Sequence, residues 1–239
     1  STDQPKHKNM IRIDNILKKY GHQVVLDIDN LDFVKGEICG IVGNNGAGKT
    51  TLFSLILDLI KADQGTVYSK DIIVSHGEQW KPYTGAYINE SFLIDFLTPE
   101  EYFEFIAELY NWNKGTLSAF LEQFEELFNG EILGGKKYIR DLSMGNQKKT
   151  GIVSALIGDP EIIILDEPFA NLDPTTQNRL KHLITDMKTP DRTILISSHD
   201  LNHVHDASDR IVVLEKGKVV SDIQKSESSL GELKSYFQV

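Results

Sequence analysis

Short apolar runs punctuate the chain at Val24–Ile28, Glu37–Val42, Ile162–Leu165, Thr193–Ile196 and Ile211–Leu214, each with the length and β-branched content of a strand. Several lead into stretches whose apolar residues recur at helical spacing. Thr51 to Ile60 is one. Leu180, Leu183, Ile184 and Met187 form another, and Leu117, Phe120, Leu121, Phe124, Leu127 and Phe128 a third. Strands that are apolar throughout, alternating with amphipathic helices, predict an α/β fold whose sheet is parallel at its centre.

From about Ser91 to Gly158 the pattern changes to helical, aromatic and acidic, with only Lys137–Ile139 resembling a strand. This predicts a helical subdomain inserted between strands of the core, with Phe103, Phe120, Phe124 and Phe128 packed inside it. Internal repeats, low-complexity stretches and Pro/Gly-rich linkers are missing, so residues 1–239 are expected to form a single domain. A short tail helix is expected over Leu230–Phe237. The opening Ser-Thr-Asp-Gln-Pro-Lys-His-Lys-Asn is set apart as a leader.

Charge narrows the partners. Lys and Arg number 25 against 35 Asp and Glu, a formal balance of −10. From Glu90 to Glu131 there are ten acidic residues and one basic, Lys114. Such a face repels phosphate backbones, so no nucleic-acid partner is expected. The single cysteine, Cys39, lies in an apolar strand segment and is assigned to the core, in keeping with a reducing cytoplasm. No apolar run approaches the roughly 20 residues needed to cross a bilayer, because Asp58 interrupts Leu52–Ile60.

The chemistry enters at residues 43–50, Gly-Asn-Asn-Gly-Ala-Gly-Lys-Thr, set between the run ending at Val42 and the periodic stretch from Thr51. Glycines at a strand-to-helix turn let backbone N–H groups curl around phosphates, and the helix points its positive end at the same anion. Gly43, Asn44, Asn45, Gly46, Ala47, Gly48, Lys49, Thr50 and Thr51 are therefore candidates for binding a nucleoside triphosphate. Lys49 supplies the cation for the β- and γ-phosphates and Thr50 a hydroxyl ligand for Mg²⁺. Ile162–Leu165 then ends in Asp166 and Glu167, where ligands meet a parallel sheet. Asp166 is placed to reach the metal, and Glu167 to accept a proton from an attacking water or to orient it.

Leu142-Ser143-Met144-Gly145-Asn146-Gln147 resembles the signature of ATP-binding cassette (ABC) ATPases, and the resemblance runs from about Ile11 to Val220. It includes the phosphate loop, Asp166-Glu167, Asn171-Leu172-Asp173 and Ser197-Ser198-His199-Asp200, with Tyr20 in the place of the aromatic that stacks on adenine. The guanine reader Asn-Lys-x-Asp of GTPases finds only Asn113-Lys114-Gly115-Thr116, which lacks the acid. The resemblance implies a phosphate-loop (RecA-like) core with a mainly parallel sheet, an antiparallel β subdomain and an inserted helical subdomain. It also implies a Mg²⁺-dependent ATPase whose ATP lies between one cassette's phosphate loop and a second cassette's signature. Ser143, Met144, Gly145 and Asn146 would then act in trans, His199 would hold the γ-phosphate, and Asp173 would couple the two sites.

Some positions depart from the family's common form. Met144 and Asn146 stand where glycine and glutamine are usual, Asn171 replaces a glycine, and Glu90 replaces the glutamine that touches Mg²⁺. A carboxylate at Glu90 still offers an oxygen to the metal. The expected role is the peripheral ATPase subunit of a transporter whose membrane subunits lie on a separate chain, on the cytoplasmic face, in the manner of antibiotic and lantibiotic exporters. The alternative is an ABC ATPase acting in translation or DNA repair.

Overall fold

The computed structural model describes residues 9–226 and 229–236. Apart from Asn9, the predicted leader lies outside the described residues, as does Phe237 of the predicted tail helix.

The chain opens with β1 (Asn9–Tyr20) and returns as β2 (Gln23–Val34), neither of which has an uninterrupted apolar pattern. In β1 the buried face shifts from Ile11 and Ile13 to Ile16, because Asn15 sits at φ 49° and breaks the alternation. Next come β3 (Ile38–Val42), α1 (Lys49–Ile56), β4 (Gln64–Ser69), β5 (Ile72–Ile73) and β6 (Thr84–Tyr87). The helical stretch follows as α2 (Pro99–Leu109), α3 (Lys114–Glu122), α4 (Glu125–Phe128) and α5 (Met144–Leu156). The remainder is β7 (Ile162–Leu165), α6 (Pro174–Asp186), β8 (Thr193–Ser198), α7 (Leu201–His205), β9 (Arg210–Glu215), β10 (Lys218–Gln224) and α8 (Ser229–Lys234).

The strands form two sheets. One is antiparallel, in the order β2-β1-β4-β5; the other runs β10-β9-β3-β8-β7-β6 and is parallel except for β10. The parallel sheet divides the core. Ile163, Leu165, Ile194, Ile196, Ile211 and Val213 face the helical stretch, whereas Ile162, Ile164, Leu195, Val212 and Leu214 face α1 and the antiparallel sheet. Alternate residues thus enter different cores, which is why these strands are apolar at every position. Cys39 is fully buried in β3, and burial pushes its thiol well above the usual range. Among the described residues no helix is long and apolar enough to cross a membrane.

Four predicted elements change. The helix expected to reach Ile60 stops at Ile56, because Asp58 takes φ 52° and the Leu59 N–H bonds back to the Ser54 carbonyl at 2.8 Å. The apolar stripe from Leu117 to Phe128 is two helices. Phe124 leaves helical geometry at φ −108°, ψ 10° and packs its ring 4.9 Å from Phe120 and 6.2 Å from Phe128. Lys137–Ile139 is not a strand. The Ile139 N–H bonds to Leu97 at 2.8 Å and that of Arg140 to Asp95 at 3.0 Å, so this backbone is satisfied by the segment ahead of α2 and not by a sheet. The described part of the tail helix begins at Ser229 and ends at Lys234.

α5 lies directly on β6, so its first turn is held at a fixed height over the sheet. A Cβ on Gly85 would come within 1.8 Å of the Ala155 carbonyl oxygen, and one on Gly151 within 2.2 Å of the Tyr87 ring.

Candidate functional site

The carboxyl ends of β3, β7 and β8 bring the candidate groups together. β3 feeds the phosphate loop, whose Gly43 N–H donates to the Ser198 carbonyl at 3.2 Å and whose Ala47 N–H closes on Asn44 at 3.0 Å. Gly48, just ahead of α1, takes φ 110°, a conformation that L side chains rarely adopt. A Cβ there would also meet Leu26 at 2.9 Å and the Val25 oxygen at 3.1 Å. β2 therefore packs on the loop, and the same hairpin carries Tyr20, 55% exposed, opposite Gln23. The Lys18 ammonium lies 5.0 Å from the Tyr20 ring centre, leaving the ring's exposed surface free to stack on a base.

Lys49 is 6% exposed. Its ammonium donates to the Gly43 carbonyl, to that of Asn44 at 3.1 Å, and lies 3.5 Å from Glu167 Oε1. Burial lowers its pKa, and the charges of Glu167 and Asp166 oppose that fall. Thr50 donates its hydroxyl to Asp166 Oδ2 at 2.5 Å, and Ser197 donates to Asp166 Oδ1. Burial raises the pKa of Asp166, while these two hydroxyls pull it back down.

Hard oxygen donors at this spacing suit Mg²⁺, which keeps most of its waters and binds one or two protein oxygens together with substrate phosphates. Among the described residues no cluster of three or more His, Cys, Asp or Glu could hold a metal unaided. A site completed by phosphate oxygens fits that observation.

Glu167 is the hub of the pocket. Its Oε1 faces Lys49, its Oε2 lies 3.0 Å from His199 Nδ1, and its backbone N–H donates to Ser197 Oγ at 2.8 Å. It is also held at φ 46°, a left-handed conformation that costs a non-glycine residue on the order of 1–3 kcal/mol. Such geometry persists only where the surroundings fix it from several sides, and a carboxylate fixed this way is aimed.

Ser143, Met144, Gly145 and Asn146 sit elsewhere, at the amino end of α5. Ser143 caps that helix by accepting from the Asn146 N–H at 3.2 Å, Met144 is 58% exposed, and the Asn146 amide donates to Glu131 Oε2 at 3.1 Å. A Cβ on Gly145 would lie 3.6 Å from Leu172 and 3.7 Å from the Asn171 oxygen, so the signature borders the Asn171–Asp173 turn. Asn171 takes φ 62°, a left-handed conformation that asparagine tolerates. Asp173 caps α6 through the Thr176 N–H at 3.0 Å and hydroxyl at 2.7 Å, which lowers its pKa. Among the described residues no hydrogen bond or ion pair joins Ser143–Asn146 or Asp173 to the phosphate loop. Within one chain, then, the candidate residues fall into two separate groups. Glu90 opens the short turn Glu90–Phe92 after β6, and its charge acts on Lys148 of α5.

Two residues that bond to the candidate groups were given no role from the sequence. Ser197 enters there only within the Ser197-Ser198-His199-Asp200 match, with no role of its own, yet its hydroxyl joins Asp166 to the Glu167 backbone. Lys148 was not singled out there at all, yet it is 5% exposed and bonded to the loop that carries Glu167. A polar residue in the last position of a central strand is a usable signal for the first. The second has none.

Comparison with known proteins gives consistent matches. The profile of the family described as ABC transporter matches residues 26–170. The chain is 34% identical, over 88% of its length and 70% of the relative's, to an uncharacterized ABC transporter ATP-binding protein, YhaQ, of Bacillus subtilis (strain 168). It is 29% identical, over 88% of its length and 89% of the relative's, to the lantibiotic transport ATP-binding protein SrtF of Streptococcus pyogenes. Among solved structures, the dimeric structure of a bacterial ABC transporter cassette superposes with a TM-score of 0.78 at 24% identity, covering 90% of this chain and 98% of that one.

Proposed function

The chain belongs to the ABC transporter family of ATP-binding cassette ATPases, and on that footing we propose that it couples Mg²⁺-dependent ATP hydrolysis to movement of a substrate by membrane subunits on a separate chain. The observation that carries this reading is the joining of Thr50, Asp166, Glu167, Lys49 and His199 in one pocket beside a phosphate loop.

In this reading residues 1–239 are one cassette, with residues 91–158 as its helical subdomain. Tyr20 stacks on the adenine and residues 43–51 wrap the phosphates with backbone N–H groups. Lys49 moves from the Gly43 and Asn44 carbonyls to the β- and γ-phosphate oxygens. Thr50 and Asp166, with Glu90, hold Mg²⁺, which when bound draws negative charge off the phosphates. Glu167 accepts the proton of the attacking water, and His199, hydrogen-bonded to it, holds the γ-phosphate. Ser143, Met144, Gly145 and Asn146 complete the site of a second cassette, gripping its γ-phosphate from the amino end of α5, and Asp173 couples the two sites. The dimer reported for a related cassette supports that partner.

Between the helical stretch and β6 lies a groove of about 280 Å³ lined by Leu57, Leu59, Trp80, Phe92 and Tyr102. Its apolar lining, with Phe92 53% and Leu59 46% exposed, supports docking of a short helix of the membrane subunit. The cassette then works at the cytoplasmic face of the membrane. Glu90 and the likeness to a lantibiotic transport protein support outward movement of cargo. Nothing in the acidic balance favours a nucleic acid.

Two measurements test the proposal. The purified chain should release phosphate from ATP only with Mg²⁺, and a hydrolysis-deficient variant loaded with ATP should capture a multi-span membrane protein from solubilised native cells. Capture of ribosomal or DNA-repair proteins instead would overturn it. Glu90→Gln is expected to keep turnover within about threefold of the wild type or above it, because the amide still offers an oxygen while a negative charge near the γ-phosphate is removed. Complete loss of turnover in a folded Glu90→Gln protein would contradict this expectation.

A further inference from the structure

Lys148 takes no part in the scheme above, yet its side chain is buried and spans two parts of the machine. It lies in the second turn of α5, the helix whose first turn carries Ser143–Asn146, and its ammonium donates to the Glu167 carbonyl at 2.9 Å and to the Ala170 carbonyl at 2.6 Å. An ammonium is strongly hydrated in water and is buried only where carbonyls and charges replace that water. Burial lowers the pKa of Lys148, and the opposing charges are Glu90 first, then Glu167 and Asp166.

The backbone of Glu167 shows what the two bonds do. Its N–H is held by Ser197 Oγ at 2.8 Å, and its carbonyl accepts from Lys148 and from the Ala170 N–H at 3.2 Å. Without Lys148 only that longer turn contact would hold the carbonyl, and the φ of 46° would relax. The carboxylate would then lose its aim at Lys49 and His199. We propose that Lys148 is the positioning residue for Glu167: it locks the left-handed turn from Glu167 to Ala170 and ties it to the signature helix. A displacement of the signature end of α5 would thereby reach the carboxylate of the same chain.

This rests on the reading of Glu167 as the proton acceptor, so the test carries one readout that does not. In nucleotide-free protein, amide exchange across residues 167–171 is expected to run roughly tenfold faster in Lys148→Met than in the wild type, because the turn opens more readily. In steady-state hydrolysis, kcat should fall roughly 10- to 100-fold, the scale of one charged hydrogen bond lost from a positioned group, with KM within about threefold. A lysine that served only the stability of the fold would leave kcat unchanged in the folded protein, whatever its removal did to exchange.

A folded Lys148→Met protein with wild-type exchange at 167–171 and kcat within about twofold overturns the proposal. If Lys148→Met does not fold, Lys148→Ala, which also removes the donor, bears the same comparison, and unchanged exchange there overturns it equally. A wild-type chain that binds ATP without hydrolysing it would sink the role given to Glu167, while the exchange comparison would still decide whether Lys148 holds the turn.

Discussion

Glu167→Gln is expected to lower ATP turnover by roughly 10²- to 10⁴-fold, the usual range for removing a positioned general base, while ATP affinity changes by less than about threefold. The geometry explains the split. The side chain of Glu167 lies 3.5 Å from Lys49 and 3.0 Å from His199, whereas its main chain is fixed independently by Ser197, Lys148 and Ala170. An amide of the same shape can therefore occupy the same place, but it cannot take a proton at neutral pH. The phosphate loop keeps its contacts, so binding survives and ATP accumulates. With Mg²⁺ and ATP the variant should elute at the mass of a dimer, since the grip proposed for Ser143 and Gly145 needs an intact γ-phosphate. A monomer with ATP bound would mean that the natural mate is a different cassette. Turnover within tenfold of the wild type would show that the base lies elsewhere.

The residues that meet in the candidate pocket were more legible in the sequence than the frame around them, and the reason is physical. β3, β7 and β8 are buried on both faces, so every position is apolar and the polar residues that follow mark the sheet's ligand edge. The phosphate loop announces itself because only a narrow set of residues can make that turn. β1 was invisible because Asn15 bulges out of register and flips the buried face partway along. The division at Phe124 was hidden because Phe120, Phe124 and Phe128 keep helical spacing on both sides of the break. Lys148 is harder still. Its burial depends on α5 lying close over β6, which Gly85 and Gly151 permit, and on a loop more than one element away in sequence. Local pattern carries no trace of such a contact.

Lys49→Met should nearly abolish ATP binding while leaving a folded protein. In the nucleotide-free chain the ammonium rests against the Gly43 and Asn44 carbonyls and Glu167 Oε1. These partners satisfy it at 6% exposure, with burial depressing its pKa. Methionine fills a similar volume and removes both the desolvation penalty of the charge and its bonds, terms that largely offset each other in a buried ion pair. Glu167 Oε1, buried with no hydrogen-bond partner of its own, loses its counter-charge, so a net destabilisation of about 1–2 kcal/mol is expected. Binding has no such compensation. Two charge-assisted hydrogen bonds to phosphate, each about 1.5–3 kcal/mol, correspond to an affinity loss of roughly 10²- to 10⁴-fold. Thermal unfolding separates the two effects. Wild-type protein in ATP at 100 times its Kd gains about 2.7 kcal/mol and a higher Tm, whereas the variant should show nearly the same Tm with and without nucleotide. An ATP-induced shift equal to the wild type's would mean that the phosphates are held without Lys49, and the nucleotide site would have to be sought away from residues 43–51.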